Sequence, residues 1–277
     1  LTRPLQPFAQ YLAYLDERGK VVAADPAALV GRDLSGEPEV HKVLQGQAIL
    51  ADGPIFPGTW AYYEGIVRVD YNSDQAIRLL IEAGYTLPAE AGNVRTNEDG
   101  VTLSFTLAFP DTVLHTALAE AIKGQWSQLG IVVTLEPLPY DILLQERLES
   151  RTFDAVLVDL NLSGSPDPDP YPFWDQNQIT SGQNYSGWED SYASEYLEDA
   201  RTTVDQVERT RLYRNFQVLF MEELPALPLF YPVYTYAVDN AVQGVQMGPL
   251  FETSDRFVTI TDWYLVARVP TPTPTIP

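Results

Sequence analysis

The sequence contains no cysteine, and its only histidines are His41 and His115. The absence of cysteine excludes disulfides, thiolate metal sites and a cysteine nucleophile. A Ser-His-Asp triad is also disfavoured, because no serine lies in a G-x-S-x-G context. Helical spacing predicts that His115 lies on the exposed side of its helix. We therefore expect both histidines to be ordinary surface or packing residues.

Positive charge is scarce as well, because Lys and Arg total 17 against 38 Asp and Glu, which gives a net charge of −21. An acidic surface of this kind repels phosphate, so we expect no nucleic-acid or anionic-lipid partner. No run reaches the roughly 20 apolar residues that a membrane span needs. The first ten residues, "LTRPLQPFAQ", have neither a basic nor a hydrophobic signal region, so we expect a signal peptide to be absent or already removed.

Three common cofactor motifs are also missing, since the sequence has no G-x-G-x-x-G, no phosphate-binding loop and no H-E-x-x-H. We therefore expect no cofactor and no metal. Hydrophobic residues make up 45% of the chain, which is enough to build a core.

The central region reads as alternating strands and helices. A capped helix is predicted in "YNSDQAIRLLIEAGY", with Asn72 and Gln75 as a capping box and Gly84 after its end. "VTLSFTLAF" alternates as a strand, an amphipathic helix follows, and "IVVTLEPL" is the next strand, which together make a parallel βαβ unit. After a helix in "YDILLQERLES", the apolar run "FDAVLVDL" predicts a third strand buried on both faces. The fold class is therefore α/β, and the loop after Leu160 is placed where ligands bind in such sheets.

Two further helices and an extended segment complete the predicted lobe. "SYASEYLEDAR" reads as a mostly surface helix, while "DQVERTRLYRNFQVLFMEE" has a capping box and a buried stripe at Leu212, Phe216 and Leu219. The proline-rich "LPALPLFYPVYTYAV" is a poor central strand but suits an edge strand or a crossing between lobes. Near Trp60, the prolines and glycine of "ADGPIFPGTWAY" predict an irregular connecting segment.

The acidic loop "SGSPDPDPYPFW" could serve several chemistries. Asp167 and Asp169 have the spacing that begins a calcium loop, but Pro172 replaces the required glycine and no Glu stands at the twelfth position, which excludes an EF-hand. A glycosidase would need two carboxylates at a set separation, and this region offers several. They are Asp167, Asp169, Asp175 and Glu189.

Aromatic residues are abundant, with 5 Trp, 16 Tyr and 11 Phe. Many lie outside the predicted helix cores, where their amphipathic rings suit a cleft that binds a peptide or sugar. They include Trp60, Trp174, Tyr185, Trp188, Tyr231, Tyr234 and Tyr236.

Several motifs together resemble a known family. They look like the C-terminal half of family 5 extracellular solute-binding proteins, the group that contains the dipeptide and oligopeptide receptors of ABC importers. The resemblance covers roughly residues 40 to 265, in the family's order. Its motifs are "GPIFPGTWAYY", "YNSDQAIRLLIEAGY", "FDAVLVDLNLSGSPDPDPYPFW", "NYSGW", "RTRLYRNFQVLFMEELPALPLFYPVYTYAV" and "VQGVQMGPL".

The resemblance implies a periplasmic-binding-protein type II lobe, with a mixed, largely parallel sheet flanked by helices, and no catalytic activity. It implies a peptide or oligosaccharide ligand, an ABC transporter permease as partner, and an extracellular or periplasmic location, with lipid anchoring an option for the full-length protein. Full-length members are about twice this long, so we expect mainly the C-terminal lobe. We assign residues 1–66 to the neighbouring lobe and connection, 67–238 to the C-terminal lobe, 239–268 to a return segment and 269–277 to a Thr/Pro-rich tail.

In peptide-binding members an Asp after the "FDA" strand holds the α-amino group of the ligand. The matching position here is near Ser163, and Asp159 stands where Gly is usual, which leaves an oligosaccharide or another solute open. The predicted ligand-binding residues are Trp60, Asp159, Asn161, Ser163, Asp167, Trp174, Tyr185 and Tyr234. A glycosidase-like hydrolase and a noncatalytic extracellular scaffold module stay open as alternatives.

Overall fold

The computed structural model describes residues 12–15, 21–25, 48–67, 69–88, 92–161, 167–232, 238, 241–246 and 253–266. The strands are β1 (Leu12–Leu15), β2 (Val21–Asp25), β3 (Ala48–Leu50), β4 (Ser104–Pro110), β5 (Val132–Leu138), β6 (Ala155–Val156), β7 (Phe230–Pro232), β8 (Val242–Gln243) and β9 (Tyr264–Leu265). The α-helices are α1 (Ser73–Glu82), α2 (Val113–Gln128), α3 (Tyr140–Ile142), α4 (Tyr171–Trp174), α5 (Ser191–Thr202) and α6 (Gln206–Glu223). α3 continues into a π-helix at Leu143–Leu148, and 3-10 turns lie at Gln176–Gln178, Thr253–Phe257 and Ile260–Asp262.

The predicted βαβ unit forms a parallel sheet with the strand order β5-β4-β6. β4 pairs in parallel with β5 over seven residues, from Ser104 opposite Val132 to Pro110 opposite Leu138. α2 packs on this sheet, and its Leu118 and Ala119 are buried. Thr112 caps α2 by accepting a hydrogen bond from the backbone N–H of His115 at 3.2 Å. This confirms the α/β fold class.

The third strand is shorter and more exposed than the sequence predicts. β6 has only two residues, and they pair with Leu107 and Ala108 of β4. One reason is that the Asp154 carboxylate accepts the Thr106 N–H at 2.9 Å, where a longer strand would offer a backbone carbonyl. Ala155 and the residues after it are only half-buried, and Leu160 is 37% exposed, so burial on both faces was wrong.

The two C-terminal helices pack against each other and build the larger hydrophobic core. α6 buries Leu212 and Phe216 as predicted, but its stripe continues through the fully buried Phe220, while Leu219 is only half-buried. α5 was predicted to be mostly surface, and seven of its twelve residues are exposed. One face of it is buried, because small residues let it approach α6 closely. The buried residues of α5 are Ala193, Ser194, Leu197 and Ala200.

The segment before α1 is irregular, as predicted, and is fixed to the C-terminal helices by a buried glutamine. Gln217 of α6 donates its side-chain amide to the Ala61 carbonyl at 2.9 Å and accepts the Tyr63 N–H at 3.2 Å. β7 pairs antiparallel with β3, which agrees with the predicted edge strand. Strands β1, β2 and β3 were not predicted.

Candidate functional site

The carboxyl ends of β4, β5 and β6 lie at one edge of the sheet, and each is followed by a polar side chain. Thr112 and His115 follow β4, Tyr140 follows β5, and Asp159 follows β6. Ligands of open α/β sheets bind beyond this edge. We name Thr112, His115, Tyr140 and Asp159 the carboxyl-edge cluster.

Three members of the cluster contact one another through their polar atoms. The Thr112 hydroxyl lies 2.7 Å from Nδ1 of His115, and Nε2 of His115 lies 3.2 Å from a carboxylate oxygen of Asp159. The His115 side chain is 10% exposed, whereas the Asp159 side chain is 49% exposed. The cluster therefore presents a carboxylate to solvent and supports it from beneath with a buried imidazole.

Tyr140 follows β5 at the same edge of the sheet, and the charge of Asp159 acts on its hydroxyl. Burial, and then the nearby Tyr185 and Asp159, raise the pKa of Tyr140. Its hydroxyl therefore stays protonated at neutral pH, where it can donate or accept a hydrogen bond.

An open cleft of about 840 Å³ lies next to this edge, and that volume falls in the range of small-molecule sites. Polar groups from four stretches of chain form its walls. The lining residues are Leu144, Glu149, Arg151, Asn161, Asp167, Asp169, Pro172, Phe173, Gln178, Thr180, Ser181, Gly182, Gln183 and Tyr185.

Arg151 holds one wall of the cleft in place. Its guanidinium donates to the carbonyls of Leu148, Ile179 and Gly182 at 2.7, 3.0 and 2.7 Å, and it lies 4.6 Å from the centre of the Tyr185 ring. The backbone of Arg151 has φ = +56°, a left-handed conformation that a residue with a Cβ rarely adopts. The three hydrogen bonds offset this strain and fasten the wall formed by residues 179–185.

The carboxylates of the Asp-Pro loop are held by arginines of α5 and α6. Asp167 accepts two hydrogen bonds from one nitrogen of Arg209, at 2.8 and 3.0 Å. Asp169 pairs with Arg201 at 3.0 Å and accepts the Tyr171 N–H at 3.1 Å. Burial raises the pKa of Asp169. Both carboxylates therefore anchor the loop to the helices.

Arg209 also connects this loop to the connecting segment and to the core. Its guanidinium lies 4.8 Å from the centre of the Trp60 ring, donates to the Ala200 carbonyl at 2.8 Å and contacts the Tyr213 hydroxyl at 3.3 Å. Burial, and then the charge of Asp169, raise the pKa of Tyr213 to about 12.

The structure brings together three of the predicted ligand-binding residues, because Asn161, Asp167 and Tyr185 all line the cleft. Asp159 lies at the sheet edge, two residues before Asn161. Trp60 packs on Tyr213, with the ring centres 5.6 Å apart. A ligand contact stays a prediction for each of them.

Trp174 lies in the hydrophobic core, where it is only 8% exposed and its ring packs edge-on against Phe220 at 4.7 Å. A ligand contact through Trp174 stays a prediction. Ser163 and Tyr234 lie outside the described residues, so their predicted roles do too.

The prediction that His115 is exposed was wrong, because the residue is buried. The buried face of α2 contains His115, Leu118 and Ala119, which are spaced by three and four residues. The same spacing could have placed His115 on that face. Tyr140 could have been found from its position after a predicted strand. The role of Arg151 depends on its positive φ angle and on carbonyls of residues such as Ile179 and Gly182, which are far from it in sequence. No local sequence pattern indicates either feature.

The family model for bacterial extracellular solute-binding proteins, family 5, middle region, matches residues 39–183, which is more than half of the chain. The chain therefore belongs to this family. It is 26% identical over 220 residues to the oligopeptide-binding protein AppA of Bacillus subtilis, a match that covers 78% of this chain and 40% of AppA. It is 29% identical over 215 residues to di/tripeptide-binding protein 4 of Pseudomonas aeruginosa, covering 77% of this chain and 38% of that protein.

Solved structures show the same fold. The structure of AppA in complex with a nonapeptide superposes with a TM-score of 0.65 at 22% identity, covering 84% of this chain and 46% of that one. A periplasmic oligopeptide-binding protein of Thermotoga maritima bound to mannohexaose gives a TM-score of 0.63 at 17% identity, covering 75% of this chain and 41% of that one. The fold is that of a type II periplasmic binding protein. This chain spans less than half the length of these relatives.

The described helices include none with the length and apolar character required to cross a membrane. One relative, the probable D,D-dipeptide-binding protein DdpA of Escherichia coli, is named as a periplasmic protein.

Proposed function

We propose that this chain supplies the C-terminal lobe of the substrate-binding component of an ABC importer, which binds a peptide or a related solute between two lobes. The observation that carries the proposal is the open cleft beside the carboxyl edge of the sheet, in a chain that belongs to family 5. The relatives are named as oligopeptide- and di/tripeptide-binding proteins, which supports a peptide ligand.

The electrostatics favour binding over hydrolysis. A glycosidase needs one carboxylic acid and one carboxylate facing the scissile bond. Asp167 and Asp169 are instead each paired with an arginine, 2.8 Å from Arg209 and 3.0 Å from Arg201. We therefore propose that the chain is not an enzyme.

The remaining parts of the proposal concern the whole protein. The short span of the chain relative to AppA supports a second lobe from the rest of the protein. We also propose the domain limits given above, with the C-terminal lobe at residues 67–238 and the return segment at residues 239–268. An ABC transporter permease would be the partner, the location would be extracellular or periplasmic, and lipid anchoring would hold the full-length protein at the membrane.

A thermal-shift screen tests this function. The full-length product of the gene and this chain are screened side by side against di- to hexapeptides and oligosaccharides, including mannohexaose. A ligand at 1,000 times its Kd stabilises the folded state by about 4 kcal/mol, which is a shift of several degrees. We expect the full-length protein to respond to a peptide and this chain to respond weakly.

Other outcomes would change the conclusion. A response to oligosaccharides alone would replace peptide by sugar as the ligand class. An equal response of this chain would show that it holds a complete site, which contradicts the two-lobe proposal. Hydrolysis of a chromogenic glycoside, lost on D167N or D169N, would establish the hydrolase instead. No response to any solute would overturn the proposed function.

A further inference from the structure

Four neutral polar side chains line one wall of the cleft within six residues of the chain. Gln178 and Gln183 carry amides, and Thr180 and Ser181 carry hydroxyls. We name these four residues the polar wall. Among the residues that the structure describes, none of the four side chains makes a hydrogen bond to another protein group. The polar wall therefore has donors and acceptors available for a solute.

The backbone beneath the polar wall is fixed by contacts within the protein. Arg151 donates to the carbonyls of Ile179 and Gly182 at 3.0 and 2.7 Å. The Gly182 N–H donates to the Gln178 carbonyl at 3.1 Å, and a Cβ at position 182 would collide with the Gln178 side chain. Because this turn is ordered in advance, the side chains above it can select a solute with a smaller loss of conformational entropy.

Most charged groups of the cleft are already engaged by the protein. Asp167 and Asp169 are each paired with an arginine. Arg151 is the one cation among the described lining residues, and each of its three guanidinium nitrogens donates to a backbone carbonyl while Tyr185 covers one face. An anionic group of a solute would have to compete with these carbonyls for Arg151.

Glu149 differs from the other carboxylates of the cleft. Its side chain lines the cleft and is exposed, and in the described part of the chain no lysine or arginine pairs with it. Its charge repels an anion, while the charge of Arg151 in the same lining opposes a cation. An amide or hydroxyl meets neither repulsion and can exchange hydrogen bonds with the polar wall.

We propose that the polar wall binds a neutral hydrogen-bonding group of the solute, an amide or a hydroxyl, and that Glu149 discriminates against anionic groups at this subsite. This inference rests on the proposed function, because it requires a solute in the cleft. It adds to that function the chemistry of one part of the ligand. A peptide side chain and a sugar can both supply that chemistry, and the experiment distinguishes them.

The binding test uses side chains of similar length that differ in charge and polarity. Calorimetry on the full-length protein compares tripeptides in which each position of tri-alanine is replaced in turn by Gln, Met, Glu or Lys, with mannohexaose as a separate solute. At one position we expect Gln to bind about 2- to 10-fold more tightly than Met, because of its hydrogen bonds. Gln should exceed Glu by about 3- to 30-fold, because like charges repel, and Lys should not exceed Gln.

Variants of the polar wall test its part in this preference. The triple variant T180V/S181A/Q183M keeps similar side-chain shapes but removes two hydroxyls and an amide. It should abolish the preference for Gln over Met and leave the affinity for the Met peptide within about 2-fold, since only hydrogen bonds are lost. Q145M, which removes an exposed amide outside the cleft lining, is the matched control and should leave the preference unchanged. Equal losses for the Gln and Met peptides would indicate a merely structural role and overturn the proposal.

The discrimination by Glu149 has its own pair of variants. E149Q should strengthen binding of the Glu peptide by about 3-fold or more, because it removes the like charge. E146Q removes an exposed carboxylate of the same π-helix, outside the cleft lining, and should not change that affinity. An unchanged affinity in E149Q, or the same gain in E146Q, overturns the role of Glu149.

The remaining outcomes separate this inference from the proposed function. If peptides bind but Gln, Met and Glu are equal at every position, or a charged side chain is preferred, the inference falls and the proposed function stands. If mannohexaose binds and no peptide does, the bound group is a sugar hydroxyl, and the triple variant must then weaken mannohexaose binding; an unchanged affinity overturns the inference. If no solute binds at all, both fall.

Discussion

Arg209 joins four parts of the structure, so its replacement by methionine tests how the cleft is assembled. Its guanidinium pairs with Asp167, donates to the Ala200 carbonyl, and lies over Trp60 and near the Tyr213 hydroxyl. Methionine retains much of the aliphatic stem but removes the charge and all five N–H donors. R209M therefore removes the ion pair between α6 and the Asp-Pro loop and the cation–π contact between α6 and the connecting segment.

The magnitude follows from the individual contacts. The charged hydrogen bond to the Ala200 carbonyl contributes about 1 to 1.5 kcal/mol, and the cation–π contact with Trp60 contributes about 0.5 to 1 kcal/mol. The pair with Asp167 adds about 0.5 to 1 kcal/mol at most, because that carboxylate is 40% exposed and water screens it. R209M should therefore lower the free energy of unfolding by about 2 to 3.5 kcal/mol.

Urea unfolding followed by tryptophan fluorescence measures this loss. The matched control is R211M on the same helix, because Arg211 is 55% exposed and, among the described residues, its ion pair is with Glu208 one turn away. That change should leave the urea midpoint nearly unchanged. A double-mutant cycle of R209M and D167N should give a coupling free energy of about 0.5 to 1 kcal/mol between the two side chains. If R209M costs no more than R211M, or the coupling is zero, Arg209 does not hold the loop.

Two further predictions concern the core and the surface. F220A should lower the free energy of unfolding by about 3 to 5 kcal/mol, because Phe220 is fully buried against Trp174 and Trp188. V218A, on an exposed face, should change the free energy of unfolding by no more than about 0.5 kcal/mol. Equal urea midpoints for the two variants would contradict this prediction. Hydrogen bonds from Arg147 lower the pKa of Glu136 in the folded protein. The pair therefore stabilises the fold at pH values above the unfolded-state pKa of about 4.3, and this stabilisation is lost as the pH falls through the lower folded-state pKa. E136Q should therefore be less stable than wild type by up to about 1 kcal/mol at pH 7, and the difference should shrink as pH falls below about 4.3; a difference that does not change with pH would disprove the assignment.

Elements with strong local signals were predicted well. The Asn72 side chain accepts the Gln75 N–H at 2.9 Å and Asp205 accepts the Glu208 N–H at 2.8 Å, as the capping boxes indicate. The β4-α2-β5 unit also follows from periodicity alone. The two-residue β6 does not, because the Asp154 side chain takes a position in the ladder that apolar composition cannot reveal.

The candidate site was predicted only in part. Asn161, Asp167 and Asp169, which flank or follow the start of this loop, line a cleft, as the order of the elements indicates, and a ligand there stays a prediction. The partners of its carboxylates were not predicted, because Arg201 and Arg209 lie more than thirty residues further along the chain. His115 was misplaced because its burial depends on the sheet beneath α2 and on Asp159, which is 44 residues away.

The sequence by itself determined the alternation of strands and helices, the absence of cysteine chemistry and the acidic charge. It also carried the resemblance to family 5, because caps, periodicities and composition are local properties of the chain. Tertiary structure decided which polar side chains act together. Folding places Thr112, His115, Tyr140 and Asp159 at one edge and pairs the loop aspartates with arginines, because these contacts depend on strand order and helix packing rather than on neighbours in sequence.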